Sequence, residues 1–96
     1  VEHRDFHLGA GSLERLLFEH LQTFIFYKDA EGLLLRVSRI SITQGDGSLA
    51  LDARASGERI SPDRHVLLAD VKAVTLHRFR VAETPEGWRA TVVLDI

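Results

Sequence analysis

Leu13, Leu16, Leu17, His20, Leu21 and Phe24 recur at the spacing of one helical face, and the apolar residues beyond Lys28 recur at a different one. A stripe of that kind must be buried against another element. The chain beyond Lys28 offers mainly strands to bury it. Leu33, Leu35 and Val37 alternate, and Ile40 and Ile42 resume the alternation with shifted parity, which predicts a bulge near Ser38-Arg39. Gly45-Asp46-Gly47 suits a hairpin turn. Leu49, Leu51, Ala53 and Ala55 then face one way, with Asp52 and Arg54 facing the other. Val71 to Ala82 is rich in β-formers, Thr84-Pro85-Glu86-Gly87 is a turn, and a last strand places Trp88, Ala90, Val92, Leu94 and Ile96 opposite Arg89, Thr91, Val93 and Asp95.

Ahead of the helix, Val1 to Leu8 reads as a short strand broken by Gly9-Ala10-Gly11, with Ser12 as helix cap and Glu14 at the positive end of the dipole. The helix is expected to end near Tyr27 to Lys28, with Asp29-Ala30-Glu31-Gly32 as a turn. Gly57 to Arg64 reads as a loop in which Ser61-Pro62-Asp63 starts a short helix. The expected fold class is α+β: an antiparallel or mixed β-sheet covered on one face by one main helix, in a single domain over residues 1–96.

Composition narrows the function. Hydrophobic residues make up 45% and charged residues 27%, which suits a packed domain and not a disordered one. There is no cysteine, so thiolate metal sites and thiol catalysis are excluded, and a reducing, cytoplasmic setting is expected. No apolar run approaches membrane length. A net charge of −2 does not favour a dedicated nucleic-acid binder, although it allows action on RNA through a partner.

Several polar residues could carry chemistry. His3, Asp5 and His7 share a strand face, a set able to hold a transition metal, against the plainer reading of a solvated terminal strand. The Gly9 to Ser12 amides could hold an anion, but their spacing matches no phosphate-binding fingerprint and a glycine-rich helix entry accounts for them. His20 reads as a boundary histidine. His77 shares a face with Val71, Ala73, Thr75 and Phe79 in an unbroken strand, which makes it a hydrogen-bonded core histidine. Lys72 lies among apolar neighbours and reads as a snorkelling edge lysine, or as a lysine beside a carboxylate and an anionic ligand. Asp95 closes an apolar strand and, if Ile96 is the C-terminus and supplies a second carboxylate, could contribute to a hard-cation site that needs further oxygens. No nucleophile elbow or helical histidine pair is present, so nothing in the chemistry argues for an enzyme.

The second half has a more specific character. Gly57-Glu58-Arg59 leads to Asp63-Arg64-His65, then to Asp70-Val71-Lys72-Ala73-Val74-Thr75-Leu76-His77, and the chain closes on Glu86-Gly87-Trp88-Arg89-Ala90-Thr91-Val92-Val93-Leu94-Asp95-Ile96. These blocks, in this order, resemble the archease family, with its GE…RH segment, its V-K-A-x-T-x-H strand and its G-W-x-A-x-V-x-x-D-[IL] terminus. Leu76 stands where the family commonly has tyrosine. Leu13-Glu14-Arg15-Leu16-Leu17 and Asp29 to Leu34 resemble the family's helix and following turn less closely.

The resemblance implies an SHS2-like α+β fold and a protein cofactor that is not itself a ligase. It would assist an RtcB-type RNA ligase in tRNA splicing and RNA repair, by promoting guanylylation of the ligase and multiple turnover. GTP and RNA ends would be met through the ligase. By the same resemblance Asp95, with Ile96, is the candidate metal site, with Ca²⁺ the expected ion. Lys72, His77 and His65 are candidate partner-facing residues. The family's N-terminal strand and helix, with an H-T-A-D-like motif whose aspartate shares the metal, has no counterpart in these residues. The chain is therefore expected to lack that segment, to hold an incomplete metal site, and to expose a sheet edge through which it could self-associate. The competing expectation is a divergent SHS2-like interaction module without ligase activation. Nucleotide turnover without any partner would mark a third, enzymatic possibility.

Overall fold

The computed structural model describes residues 1–61 and 71–96. Strand β1 (Glu2–Ala10) leads into helix α1 (Leu13–Glu31), then come β2 (Leu33–Gly45), β3 (Ser48–Arg59), β4 (Ala73–Thr84) and β5 (Gly87–Asp95). The expected α+β architecture of one helix on antiparallel strands holds. The strands divide into a three-stranded sheet of order β1-β3-β2 and a two-stranded ribbon of β4 and β5, each antiparallel.

The helix forms where the apolar stripe lies, and both its ends are chemically defined. Ser12 is extended and its hydroxyl accepts from the Arg15 amide at 3.1 Å, which satisfies one of the free N–H groups of the first turn. The helix outlasts the sequence expectation. Asp29, Ala30 and Glu31 continue it rather than turning, and Gly32 ends it at φ 65, where its amide reaches back to the Lys28 carbonyl at 3.0 Å. Only glycine takes that left-handed conformation without steric cost, so the stop lies at Gly32 and not before it.

β3 is the central strand, and its alternation decides the core. Leu51, Ala53 and Ala55 are buried while Asp52 and Arg54 are exposed. The small Ala53 and Ala55 let the helix approach. Leu16 is buried on Leu51 and Ala53, ringed by Phe6, Leu8, Ala10 and Leu49. The predicted parity change in β2 is a bulge between Val37 and Arg39. Val37 pairs with Ala55, Ile40 pairs with Ala53, and the Ser38 hydroxyl donates to the Arg54 carbonyl at 3.0 Å. That shift keeps Val37, Ile40 and Ile42 on the helix-facing side.

Two expectations fail here. Gly57 opens no loop. It sits inside β3, paired with Glu2 on one side and Leu35 on the other. Gly9 and Ala10 belong to β1, so the break comes at Gly11-Ser12. The proposed helix start at Ser61-Pro62-Asp63 extends beyond the described residues.

The helix joins the two sheets. Its far side meets the ribbon through an edge-on contact of Phe18 with Phe79, ring centres 5.9 Å apart. Two side chains also accept β4 amides: Gln22 from Val74 and Glu14 from Val81, each at 3.0 Å. Cover is incomplete on this side. Leu13, Leu17, His20, Ile42, Val81 and Trp88 are among the residues lining an apolar groove of about 270 Å³, and Trp88 is 65% exposed.

Candidate functional site

The ribbon's pleat decides which residues its outer face presents. Val74 and Leu94 pair directly and both line the space under the helix, as do Val81 and Trp88 farther along. Residues between them in the pleat therefore point away from the helix. On β5 these are Arg89, Thr91, Val93 and Asp95, as the alternation predicts. Ala73 stands opposite Asp95 and Thr75 opposite Val93.

Asp95 is exposed and its backbone is held by the start of β4. The pairing with Ala73 closes the ladder, and the Lys72 amide donates to the Asp95 carbonyl at 2.7 Å. One step in, the Thr75 hydroxyl donates to the Val93 carbonyl at 3.1 Å. Lys72 lies just before β4, not within it, and its side chain is exposed. The structure thus brings the Lys72 and Asp95 backbones together. Among the described residues no ion pair joins their side chains.

His77 departs from expectation. It is exposed, not a core residue, because β4 is not unbroken. Thr75 pairs with Val93 and Arg80 pairs with Thr91, so the four residues 76–79 stand opposite Val92 alone. Arg78 within that wide bulge has φ 55, an unusual conformation for a residue with a side chain. Parity cannot be counted across the bulge, and His77 loses the face the sequence assigned to it. His65 lies outside the described residues.

The other candidates resolve into structural roles. His3, Asp5 and His7 do share the outer face of β1, but Asp5 accepts from Arg54 Nε at 2.9 Å and His7 Nδ1 lies 2.8 Å from Asp52 Oδ1. The Arg54 guanidinium, hydrogen-bonded to Asp5, holds that carboxyl below its ordinary range, and the same bond holds Arg54 above its own. The Ser12 hydroxyl serves the helix cap. The His20 ring lies tilted against Phe24 and Phe6, with ring centres 4.9 Å and 5.6 Å apart, and burial pushes its pKa down.

Hard cations take six to eight oxygens. Among the described residues no group of three His, Cys, Asp or Glu side chains is placed to hold a metal ion. Asp95 and Ile96 do not make such a site from these residues alone. Among the described residues, no helix is long and apolar enough to cross a membrane.

The Archease protein family (MTH1598/TM1083) matches this chain over residues 1–96. The chain is 34% identical over 93 residues to Protein archease of Pyrococcus furiosus, covering 96% of this chain and 66% of that one. It is 31% identical over 94 residues to Protein archease of Methanosarcina acetivorans, covering 97% and 64%. The solution structure of Methanobacterium thermoautotrophicum Protein 1598 superposes with a TM-score of 0.82 at 29% identity, over 100% of this chain and 68% of that one. The chain thus spans about two thirds of the length of the relatives it matches. A match along every residue, relatives above 30% identity and a shared fold agree: this chain belongs to the archease family.

Proposed function

We propose that this chain is an archease-type protein cofactor that activates an RtcB-type RNA ligase in tRNA splicing and RNA repair. It acts on the ligase's guanylylation and turnover and is not a catalyst itself. The observation that carries this reading is the exposed Asp95 on the ribbon's outer face, its backbone held by the Lys72 amide, in a chain whose terminal block matches the archease pattern. A rigid strand end with an outward carboxylate suits insertion into a partner's cleft, because its position costs little further ordering on binding. Lys72, just before β4, and His77, in the bulge of β4, are both exposed and are proposed to face the ligase, as is His65. The working compartment is proposed to be the cytoplasm.

A divalent metal ion, Ca²⁺ by the family resemblance, is proposed to bind at Asp95 and Ile96 with oxygens from outside the described residues. Such an ion would supply local positive charge near phosphates.

The test is guanylylation of the ligase in the presence of this protein and of its Asp95→Ala variant. Strong stimulation by the parent and little by the variant supports the reading. Equal stimulation by both removes Asp95 from the activity. Tight binding to the ligase without any stimulation would favour the interaction-module alternative.

A further inference from the structure

The outer face that ends at Asp95 carries a second feature at its other end. Arg80 pairs with Thr91, Ala82 with Arg89, and Thr84 with Gly87, so all six residues share one side of the ribbon. Arg80, Ala82, Thr84, Arg89 and Thr91 line a concavity of about 250 Å³. Arg80 and Arg89 are diagonal neighbours across the two strands, within about 8 Å.

On the three-stranded sheet several arginines are paired with acids: Arg4 with Glu31 at 2.7 Å, Arg54 with Asp5 at 2.9 Å, and Arg59 with Glu2 at 3.6 Å. Among the described residues, Arg80 and Arg89 have no ion-pair partner. The ribbon's one acid in this stretch of strand, Glu83, pairs with Trp88 on the opposite side. Two like charges held close on a sheet are mutually destabilising unless an anion lies between them.

We propose that Arg80, Arg89 and the Thr91 hydroxyl bind the phosphate backbone of single-stranded RNA. A guanidinium fork matches phosphate oxygens, and a hydroxyl adds a donor between the two forks. The Thr84 hydroxyl already donates to the Gly87 carbonyl at 2.7 Å and takes no part as a donor. Within the concavity only Ala82 is apolar, which gives a peptide side chain little to bury there, and Val93 lies beyond it on the same face. Arg89 and Asp95 are six residues apart on β5, about 20 Å along the strand. RNA held at the arginines would lie on the face that presents Asp95. The choice of RNA over other phosphates rests on the ligase reading.

The experiment is amide NMR of the protein, without ligase, at low salt. The probes are an eight-nucleotide single-stranded RNA, inorganic phosphate and a hexaglutamate peptide. With RNA, the amides of Ala82, Arg89 and Thr91 are expected to move. Log affinity should fall against log salt with a slope of about −1.4 for two phosphates neutralised. The Arg80→Ala/Arg89→Ala protein should keep its remaining spectrum and lose at least tenfold in affinity, while Asp95→Ala binds RNA normally. Unchanged RNA binding by the double variant overturns the proposal. So does a response to hexaglutamate without one to RNA, which would make this a protein-binding face. Equal affinity for inorganic phosphate would reduce it to a free-phosphate site. Because no ligase is present, failure here leaves the guanylylation test standing.

Discussion

A Cβ built on Gly57 would lie 1.8 Å from the carbonyl oxygen of Leu34. The approach is between backbones, in the middle of a three-stranded sheet, so no side-chain movement can relieve it. Gly57→Ala must push β2 away from β3 or break their pairing. The expected cost is about 3 kcal/mol, at the upper end of overpacking effects, which for a domain of this size means a fall in Tm of more than about 10 °C. Gly11→Ala, where nothing lies within 4 Å, should stay within about 0.5 kcal/mol. Paired thermal melts of the two variants check this, and equal behaviour would contradict the close approach.

At the other sheet, Lys72 and Asp95 are joined through their main chains, at 2.7 Å. Their side chains are exposed. Asp95→Ala and Lys72→Ala both leave that hydrogen bond in place, so each should change stability by less than about 0.5 kcal/mol. Denaturant unfolding of both variants measures this. A large loss of stability in Asp95→Ala would mean that its carboxylate has a structural role, and a loss of ligase stimulation could then no longer be read as a functional effect.

The first turn of the helix offers a simpler test. The Ser12 hydroxyl accepts from the Arg15 amide at 3.1 Å, and Ser12→Ala leaves that amide to solvent. The expected loss is about 1 kcal/mol, and Ser12→Asp should retain the cap. Urea midpoints of the three proteins at constant slope decide it.

How much of the fold was legible in the sequence differs from element to element. The stripe from Leu13 to Phe24 gave the helix, and the shifted parity of Ile40 placed the bulge beside Ser38, because both signals come from side chains forced to face one core. The same alternation gave the outward faces of Asp95 and Arg89. Gly57 misled because glycine usually marks a loop, whereas here its missing Cβ makes room for a neighbouring strand. Leu76-His77-Arg78-Phe79 contains no glycine or proline, so nothing announced the bulge that exposes His77 and brings Arg80 opposite Thr91. The arginine pair depends on that cross-strand register, which a single strand's pattern does not contain. Asp29-Ala30-Glu31 resembled a turn by its polarity, yet a polar last turn is ordinary on a helix face turned to solvent.

His20 ties acidity to stability. Its Nδ1 is buried with no hydrogen-bond partner among the described residues, and its ring lies tilted against Phe6 and Phe24. Burial disfavours the charged ring, so the folded pKa lies below the ordinary value of 6.5. The unfolded chain then binds more protons than the folded one between these two pKa values. Stability therefore rises with pH across that window. Above about pH 6.5 the ring is neutral in both states and no penalty exists. As pH falls below about 6.5 the unfolded state gains a proton that the folded state refuses, and Tm drops. Asp5, whose carboxyl lies below its ordinary 3.8, titrates under this window and cannot account for the drop. His20→Leu removes the unpaired nitrogen while keeping an apolar side chain against the aromatic pair. Melts from about pH 7.5 to about 5.5, which bracket the histidine range, should show the parent losing Tm steadily and His20→Leu losing measurably less. Parallel pH profiles for the two proteins would place the acid sensitivity elsewhere.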